Sequence, residues 1–266
     1  MEKFDSIKHK HLFKDLPFSY FSTAYYLDYC GYVFENNGED LIVWQDMLYV
    51  HDFPSIYLPK EQKNWERASI AFATPEDILK VKNAGIQITL DNPIESEFYY
   101  KTADFINPKN KNAERVRQFE KNYTFNILNE YPKQKIIDFY NQWKDQRVHE
   151  SLTFEDAEQS FFFCLDNLGK YNVKQVYIES DDKLIGFAWG VEHQSGNWIG
   201  LHLKVNYSFK GLSRFLHHKR AELFADKEYF SLGTGSHDSG ITQYKEELGP
   251  DYKLEYHYLL TGEKDS

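Results

Sequence analysis

The run Trp198-Ile199-Gly200-Leu201-His202-Leu203-Lys204-Val205, then Asn206-Tyr207-Ser208-Phe209-Lys210-Gly211-Leu212-Ser213, then Arg214-Phe215-Leu216-His217-His218, governs how the whole chain is read. Its apolar first part predicts a strand, its middle a glycine-containing loop, and Ser213 to Ala225 a helix. A loop of this kind feeding a helix presents backbone N–H groups and the positive end of the helix dipole, which together can hold a phosphate or pyrophosphate. Gly211 removes the Cβ that would keep such an anion away. Between Glu192 and Glu222 there is no carboxylate, while Lys204, Lys210, Arg214, Lys219 and Arg220 lie there with His193, His202, His217 and His218. In a chain of net charge −10 this is the strongest local charge asymmetry. A solvated basic helix face is the alternative reading of the same residues.

Outward from this stretch the pattern alternates. Upstream, Val173–Glu179 and Leu184–Glu192 are strands joined by a turn at Asp181-Asp182, and Gln194–Asn197 turns into the strand at Trp198. Before them come expected helices over Lys109–Tyr123, Lys133–Trp143 and Phe154–Leu168, with a short strand Phe125–Leu128. Downstream follow a strand Tyr229–Leu232, a helix Gly240–Glu247 and a strand Lys253–Leu260. Such an order implies a mixed sheet with helices on both faces.

The first part of the chain reads as a smaller α/β unit. Phe18 to Tyr29 carries aromatics at helical spacing, and strands are expected at Tyr32–Phe34, Leu41–Trp44, Met47–Val50 and Ala68–Ala73. Asn36-Asn37-Gly38 has hairpin-turn chemistry. Thr74-Pro75-Glu76-Asp77 supplies an N-cap, a proline at the first helical position and an acidic first turn for a helix ending before Gly85. Ile86–Leu90 is the next strand, and Asp91-Asn92-Pro93 marks a break after it.

Composition excludes several classes. Aromatics are 17% of the 266 residues, with 21 Phe and 20 Tyr, enough apolar area to rule out a disordered chain. With 31 Lys+Arg against 41 Asp+Glu, the chain is not a general DNA-binding protein, so any polyanion site is local. The longest uncharged run, Leu16 to Leu27, is too short for a bilayer span of about 20 residues. Met1-Glu2-Lys3-Phe4-Asp5 opens no secretory signal. Cys30 and Cys164 lie far apart with no CxxC, so neither a zinc cluster nor a disulfide is expected, and the location expected is cytoplasmic.

The strand–loop–helix at 198–218 resembles the acyl-CoA-binding segment of GNAT-superfamily acyltransferases, with Gly211 on the loop pattern and Ser208 and Ser213 at other motif positions. Gln243-Tyr244-Lys245-Glu246-Glu247-Leu248-Gly249 is similar to that superfamily's closing helix. Ser96-Glu97-Phe98-Tyr99-Tyr100, then Asn112–Tyr123, Phe139–Trp143, Ser231–Ser236, Asp238-Ser239-Gly240 and Leu248-Gly249-Pro250 resemble two-domain GNAT proteins related to the C-terminal transferase domain of phosphatidylglycerol lysyltransferases. The resemblance covers roughly residues 95–260. It implies an α/β (α+β) fold of tandem GNAT-like domains, each a mixed, mostly antiparallel sheet flanked by helices. The expected division is a degenerate domain over 1–95 and an acyltransferase domain over 96–266.

It also implies acyl-CoA as co-substrate, bound along Leu203, Lys204, Val205, Ser208, Lys210, Gly211, Leu212, Ser213 and Arg214, with an amine or hydroxyl of a small molecule or peptide as acceptor. Tyr244 matches the tyrosine that protonates the departing thiolate, and Lys245 would pair with a donor phosphate or carboxyl. Glu192, at the end of an apolar strand, is a candidate general base if partly buried, with His193 or His202 as alternatives. Two other readings stand beside this one: an aminoacyl-tRNA-dependent transferase, and a non-catalytic scaffold. No metal is expected: His149-Glu150 lacks the second histidine of a metalloprotease pair, and Ser236-His237-Asp238 are too close in sequence to stack as a triad.

Overall fold

The computed structural model describes residues 1–44, 53–145, 154–235 and 239–264; the expected strand Met47–Val50, His149-Glu150 and Ser236-His237-Asp238 lie outside them. In chain order the first elements are β1 (Glu2–Lys3), α1 (Lys10–Phe13), a 3-10 turn at Tyr20–Ser22, α2 (Ala24–Cys30), β2 (Gly31–Asn36), β3 (Glu39–Trp44) and β4 (Phe53–Ser55). Then come β5 (Ala68–Ala73), α3 (Pro75–Asn83), β6 (Ile86–Lys101), α4 (Thr102–Ile106), α5 (Asn110–Asn122), β7 (Asn126–Leu128), α6 (Lys133–Asp145) and α7 (Phe154–Asp166). The last are β8 (Lys174–Ser180), β9 (Lys183–Glu192), β10 (Trp198–Val205), α8 (Leu212–Glu222), β11 (Tyr229–Thr234), α9 (Ser239–Glu247) and β12 (Tyr252–Lys264).

These elements gather into two compact units, residues 1–99 with 233–266, and residues 100–232. The sequence reading divides the chain once, into 1–95 and 96–266, whereas here residues 233–266 group with 1–99.

In the first unit β1, β2 and β3 form a small antiparallel sheet. Beside it run β4, β5, β12 and β6 in that order, with β4 parallel to β5 and the other pairs antiparallel. The β2–β3 hairpin closes through Asn37 (φ 49°) and Gly38 (φ 79°), the left-handed pair that a two-residue turn requires. Thr74 and Asp77 cap α3 reciprocally, each side chain taking the other's backbone N–H. Phe21 stacks on Phe72 at 4.0 Å, and Phe4, Leu27, Ile42, Ile56 and Tyr256 complete that core.

Two expectations are corrected here. The helix over Phe18–Tyr29 is divided, because Ser19 caps the 3-10 turn and Thr23 caps α2 by accepting from Tyr26 N–H. Asp91-Asn92-Pro93 does not end the strand, and β6 continues to Lys101. Its register against β12 shifts between Tyr256 and His257, opposite Glu95 and Pro93, so the proline sits beside an irregularity in the ladder, a place where strands tolerate it.

In the second unit the strand order is β11, β10, β9, β8, β7, with β10 and β11 parallel and the rest antiparallel. Leu212, Phe215 and Leu216 of α8 pack with Val116 and Phe119 of α5 and with Val176, Ile178, Ile185 and Ala188 of the sheet. Trp198 lies between Phe224 (4.5 Å) and Phe230 (4.3 Å), and its indole N–H donates to Thr102 Oγ1 at 3.0 Å. The sheet is thus mixed, mostly antiparallel and helix-flanked, as the sequence implies.

Gly211 fixes where α8 starts. Its φ is 90°, and a Cβ there would lie 2.2 Å from the Arg115 carbonyl oxygen of α5. Gly38 has a similar φ of 79° but open space around it. Gly211→Ala is therefore expected to destabilise by about 2–5 kcal/mol, the left-handed conformation plus overpacking, against roughly 1–2 kcal/mol for Gly38→Ala. Urea denaturation of the two variants checks this; equal losses would mean that the Arg115 contact does not matter.

Candidate functional site

The expected donor-binding residues occupy one continuous path in the second unit: the far half of β10, the loop 206–211 and the start of α8. Two features of β10 distinguish it from an ordinary central strand. Three steps along β10 from Gly200 to Leu203 face two along β9 from Gly190 to Ala188, which is a β-bulge. Among the described residues, the parallel register with β11 covers only Trp198↔Phe230 and Ile199↔Ser231. Beyond the bulge, Leu203, Lys204 and Val205 pair with β9 alone in the registers described. Backbone groups of β10 that point away from β9 there face the side on which the β11 register has stopped, an array suited to holding a carbonyl or an extended ligand.

Gly200, at the start of the bulge, leaves room for its neighbours: a Cβ would lie 2.6 Å from Leu232 Cδ2 and 2.8 Å from an Arg220 Nη. Lys204 holds its ammonium 4.0 Å from the centre of the Trp143 ring. His202 is set edge-on to Phe161 (5.6 Å) and Trp189 (5.7 Å). Burial first, and then the positive charge of Lys204, push its imidazole down to about 3, so it is neutral at ordinary pH.

The loop is held by its own bonds. Asn206 Oδ1 accepts from Ser208 N–H (3.0 Å), the Asn206 carbonyl from Phe209 N–H (3.2 Å), the Tyr123 hydroxyl from Lys210 N–H (3.2 Å) and the Phe209 carbonyl from Leu212 N–H (3.2 Å). The amides of Ser208, Phe209, Lys210 and Leu212 are thus engaged within the protein, and the space beside Gly211 is filled by α5. The cationic window is also partly folded inward. Arg214, His217 and Arg220 are buried. Arg220 donates to the Trp189 carbonyl at 2.9 Å and lies 2.9 Å from His217 Nδ1. Ser213 is half-buried and Lys210 is exposed.

The proposed general base does not have the burial it needs. The Glu192 side chain is 51% exposed and sits between Lys174 (3.5 Å) and Lys227 (3.2 Å) in a solvated ion-pair cluster. Its neighbour His193 is buried and held by Ser195, whose Oγ lies 2.9 Å and whose N–H lies 3.1 Å from Nδ1. Burial pushes it down to about 4.

Tyr244 and Lys245 lie on α9 in the first unit, and both are half-buried. The Lys245 ammonium donates to the Thr234 carbonyl, and burial lowers it to about 8 against the opposing pull of Glu97 and Glu95. Glu97 is the residue that the sequence did not single out. It is fully buried on β6, where one carboxylate oxygen accepts from Ser19 Oγ (2.7 Å) and Tyr256 OH (3.1 Å) and the other from Tyr20 N–H (2.7 Å). Tyr99, next but one on the strand, donates to the Phe18 carbonyl at 2.8 Å. The available signal was strand alternation, which puts Glu97 on the same face as Tyr99 within an aromatic run.

Among the described residues no cluster of three or more His, Cys, Asp or Glu is placed to hold a metal ion, and no helix is long and apolar enough to cross a membrane.

No protein-family model matches this sequence, and no curated protein does. Solved structures do. FemX is similar over 97% of this chain and 96% of its own, with a TM-score of 0.65 at 10% identity. A conserved protein of unknown function from Bacteroides thetaiotaomicron VPI-5482 is similar over 73% of this chain and 69% of its own, with a TM-score of 0.66 at 13% identity. The C-terminal domain of a protein described as a lysylphosphatidylglycerol synthetase, from Agrobacterium fabrum, is similar over 89% of this chain and 86% of its own, at 0.56 and 12%. At such identities the likeness is one of fold: this chain has the mixed α/β architecture of FemX and of the lysylphosphatidylglycerol synthetase C-terminal domain.

Proposed function

We propose that this protein is a transferase that moves an acyl-type group from an activated carrier to a nucleophilic acceptor, an amine or hydroxyl, and that the carrier is aminoacyl-tRNA. The observation that carries the reading is the bulged strand β10 with its short register to β11, which leads into the carboxylate-free loop 206–211. Backbone donors fixed on a strand suit the oxygen of a carbonyl under attack, because they require no reorganisation as charge develops there. Donors placed this way serve an ester or a thioester equally.

Two observations favour the aminoacyl ester over acyl-CoA. The Lys210 amide and the space beside Gly211 are taken up within the protein, which leaves less of the loop for a pyrophosphate. The fold is also that of a protein described as making lysylphosphatidylglycerol. Among the expected residues Lys245, on α9 of the first unit, carries the shifted amine, which burial lowers to about 8. Near pH 8 a substantial share of it is therefore neutral amine.

Donor choice is checked by titrating the protein with mixed aminoacyl-tRNA, uncharged tRNA and acetyl-CoA. Salt-sensitive retention of tRNA and no heat from millimolar acetyl-CoA are expected; micromolar acetyl-CoA binding without tRNA retention would overturn the assignment. Lys245 is checked by stability against pH. Between about 8 and its unfolded value of 10.5, the unfolded chain keeps a proton that the folded one has lost, so stability rises with pH across that interval. Relative to Lys245→Met, the wild-type protein is expected to gain stability from pH 7.5 to 10 in thermal melts; a flat difference would show that the amine is not depressed.

A further inference from the structure

The first unit holds a cleft lined by none of the residues discussed for transfer. It lies between the α1 segment, β3 and the loop that follows β4, and its volume is about 240 Å³. The wall is largely apolar: Leu41 and Ile42 of β3, Leu58 and Pro59 of the loop, and Leu12 and Leu16 from the α1 segment. The loop is pinned along its length. Ile56 N–H donates to the Ile42 carbonyl at 2.8 Å, Lys60 N–H to Glu39 Oε1 at 2.8 Å, and the Trp65 indole N–H to the Pro59 carbonyl at 2.7 Å. The cleft is therefore formed before anything enters it, and a ligand meets little ordering cost there.

Two of the polar groups around the cleft are spent within the protein. Ser55 Oγ donates to the Tyr57 carbonyl at 2.5 Å, and the Glu39 carboxylate accepts from the Lys60 and Glu61 amides and from Asn64 Nδ2 (2.7 Å). The exposed groups that line it are His11 and two of opposite charge, Asp40 and Lys60. The Lys60 ammonium lies 3.5 Å from Asp15 with both side chains in solvent, a pair of the kind that contributes little and is readily exchanged. A single lysine beside an acid suits neither a phosphate nor the head of a fatty acid. Both charges are matched by a molecule that carries an ammonium and a carboxylate on one carbon. The apolar wall then takes its side chain. An apolar cavity of roughly 150 Å³ holds a benzene, so this cleft has room for an aliphatic or phenyl side chain with its α-carbon. A residue inside a peptide presents neither charge at its α-carbon and would leave Asp40 and Lys60 unused.

We propose that this cleft binds a free α-amino acid with an apolar side chain, such as leucine. Its side chain lies against Leu12, Leu16, Leu41 and Leu58, its ammonium pairs with Asp40, and its carboxylate replaces Asp15 on Lys60. The inference does not depend on the transfer reaction, which is read from the second unit. The buried side chain supplies most of the attraction, and the two charges select among ligands of similar shape.

Calorimetry and ligand-detected NMR on the intact protein with leucine, N-acetyl-leucine, leucinamide and serine test the site. N-acetyl-leucine lacks the ammonium and leucinamide the carboxylate, and each is expected to bind about three-fold more weakly than leucine or worse. Serine lacks the apolar arm and is expected to be about ten-fold weaker or more. Lys60→Gln should weaken leucine and N-acetyl-leucine and leave leucinamide unchanged, whereas Asp40→Asn should weaken leucine and leucinamide and leave N-acetyl-leucine unchanged. Both side chains are exposed, so these variants should melt with the wild-type protein, and a general loss of structure would not give the crossed pattern. Leu16→Trp fills the cleft and is expected to abolish leucine binding; if it fails to fold, the crossed pattern alone decides. No leucine binding at about 10 mM overturns the proposal, as does serine binding equal to leucine. Equal binding of leucine, N-acetyl-leucine and leucinamide also overturns it, and would point to an apolar segment of a protein partner as the occupant.

Discussion

The second unit turns on one close approach, the Arg115 carbonyl of α5 against the bare α-carbon of Gly211. That contact lets two helices meet at a point where any side chain would force them apart. With α5 in place, Phe119 reaches Phe215 at 4.8 Å, and Tyr123 reaches the Lys210 amide and the Phe209 ring. The loop's shape, the first turn of α8 and the aromatic seam beneath it are therefore consequences of a single absent methyl group. A glycine that looks like a ligand-facing residue in the sequence is here required by backbone packing.

How far the sequence could be read depended on the range of the forces involved. Short-range chemistry was legible. Thr74-Pro75-Glu76-Asp77 became a capping box, Asn37-Gly38 and Asp181-Asp182 became left-handed hairpin turns, and the strands Ala68–Ala73 and Trp198–Val205 have the expected bounds. The fold class followed from the order of such elements, and the resemblance to phosphatidylglycerol lysyltransferases from motifs such as Ser96–Tyr100 and Gln243–Gly249. Pro93 was misread because its tolerance depends on a register shift in β12, more than 160 residues later. Glu97 went unassigned for the same reason: its three donors come from residues 19, 20 and 256, none of them local.

The cationic window shows a different limit. Charge counts see residues as points on a line, whereas α8 turns Arg214, His217 and Arg220 inward and leaves Lys219 beside Glu222. A guanidinium taken out of water needs several acceptors, and Arg220 finds one in the Trp189 carbonyl and a second contact in His217. Much of the apparent polyanion attraction is therefore internal structure. The exposed remainder is small, which suits local recognition of one or two phosphates better than a broad electrostatic footprint.

The place of β12 between β5 and β6 has a consequence for how this molecule comes into being. During synthesis residues 1–99 leave the ribosome without the strand that joins their two halves, and residues 100–232 emerge in full before it does. The inner segment can thus complete itself early as a nested folding unit, while the outer one must wait with two facing strand edges unpaired. Those edges are where misassociation in the cell would start. A fusion partner or clipping near residue 252 would disturb the centre of that sheet and not its margin.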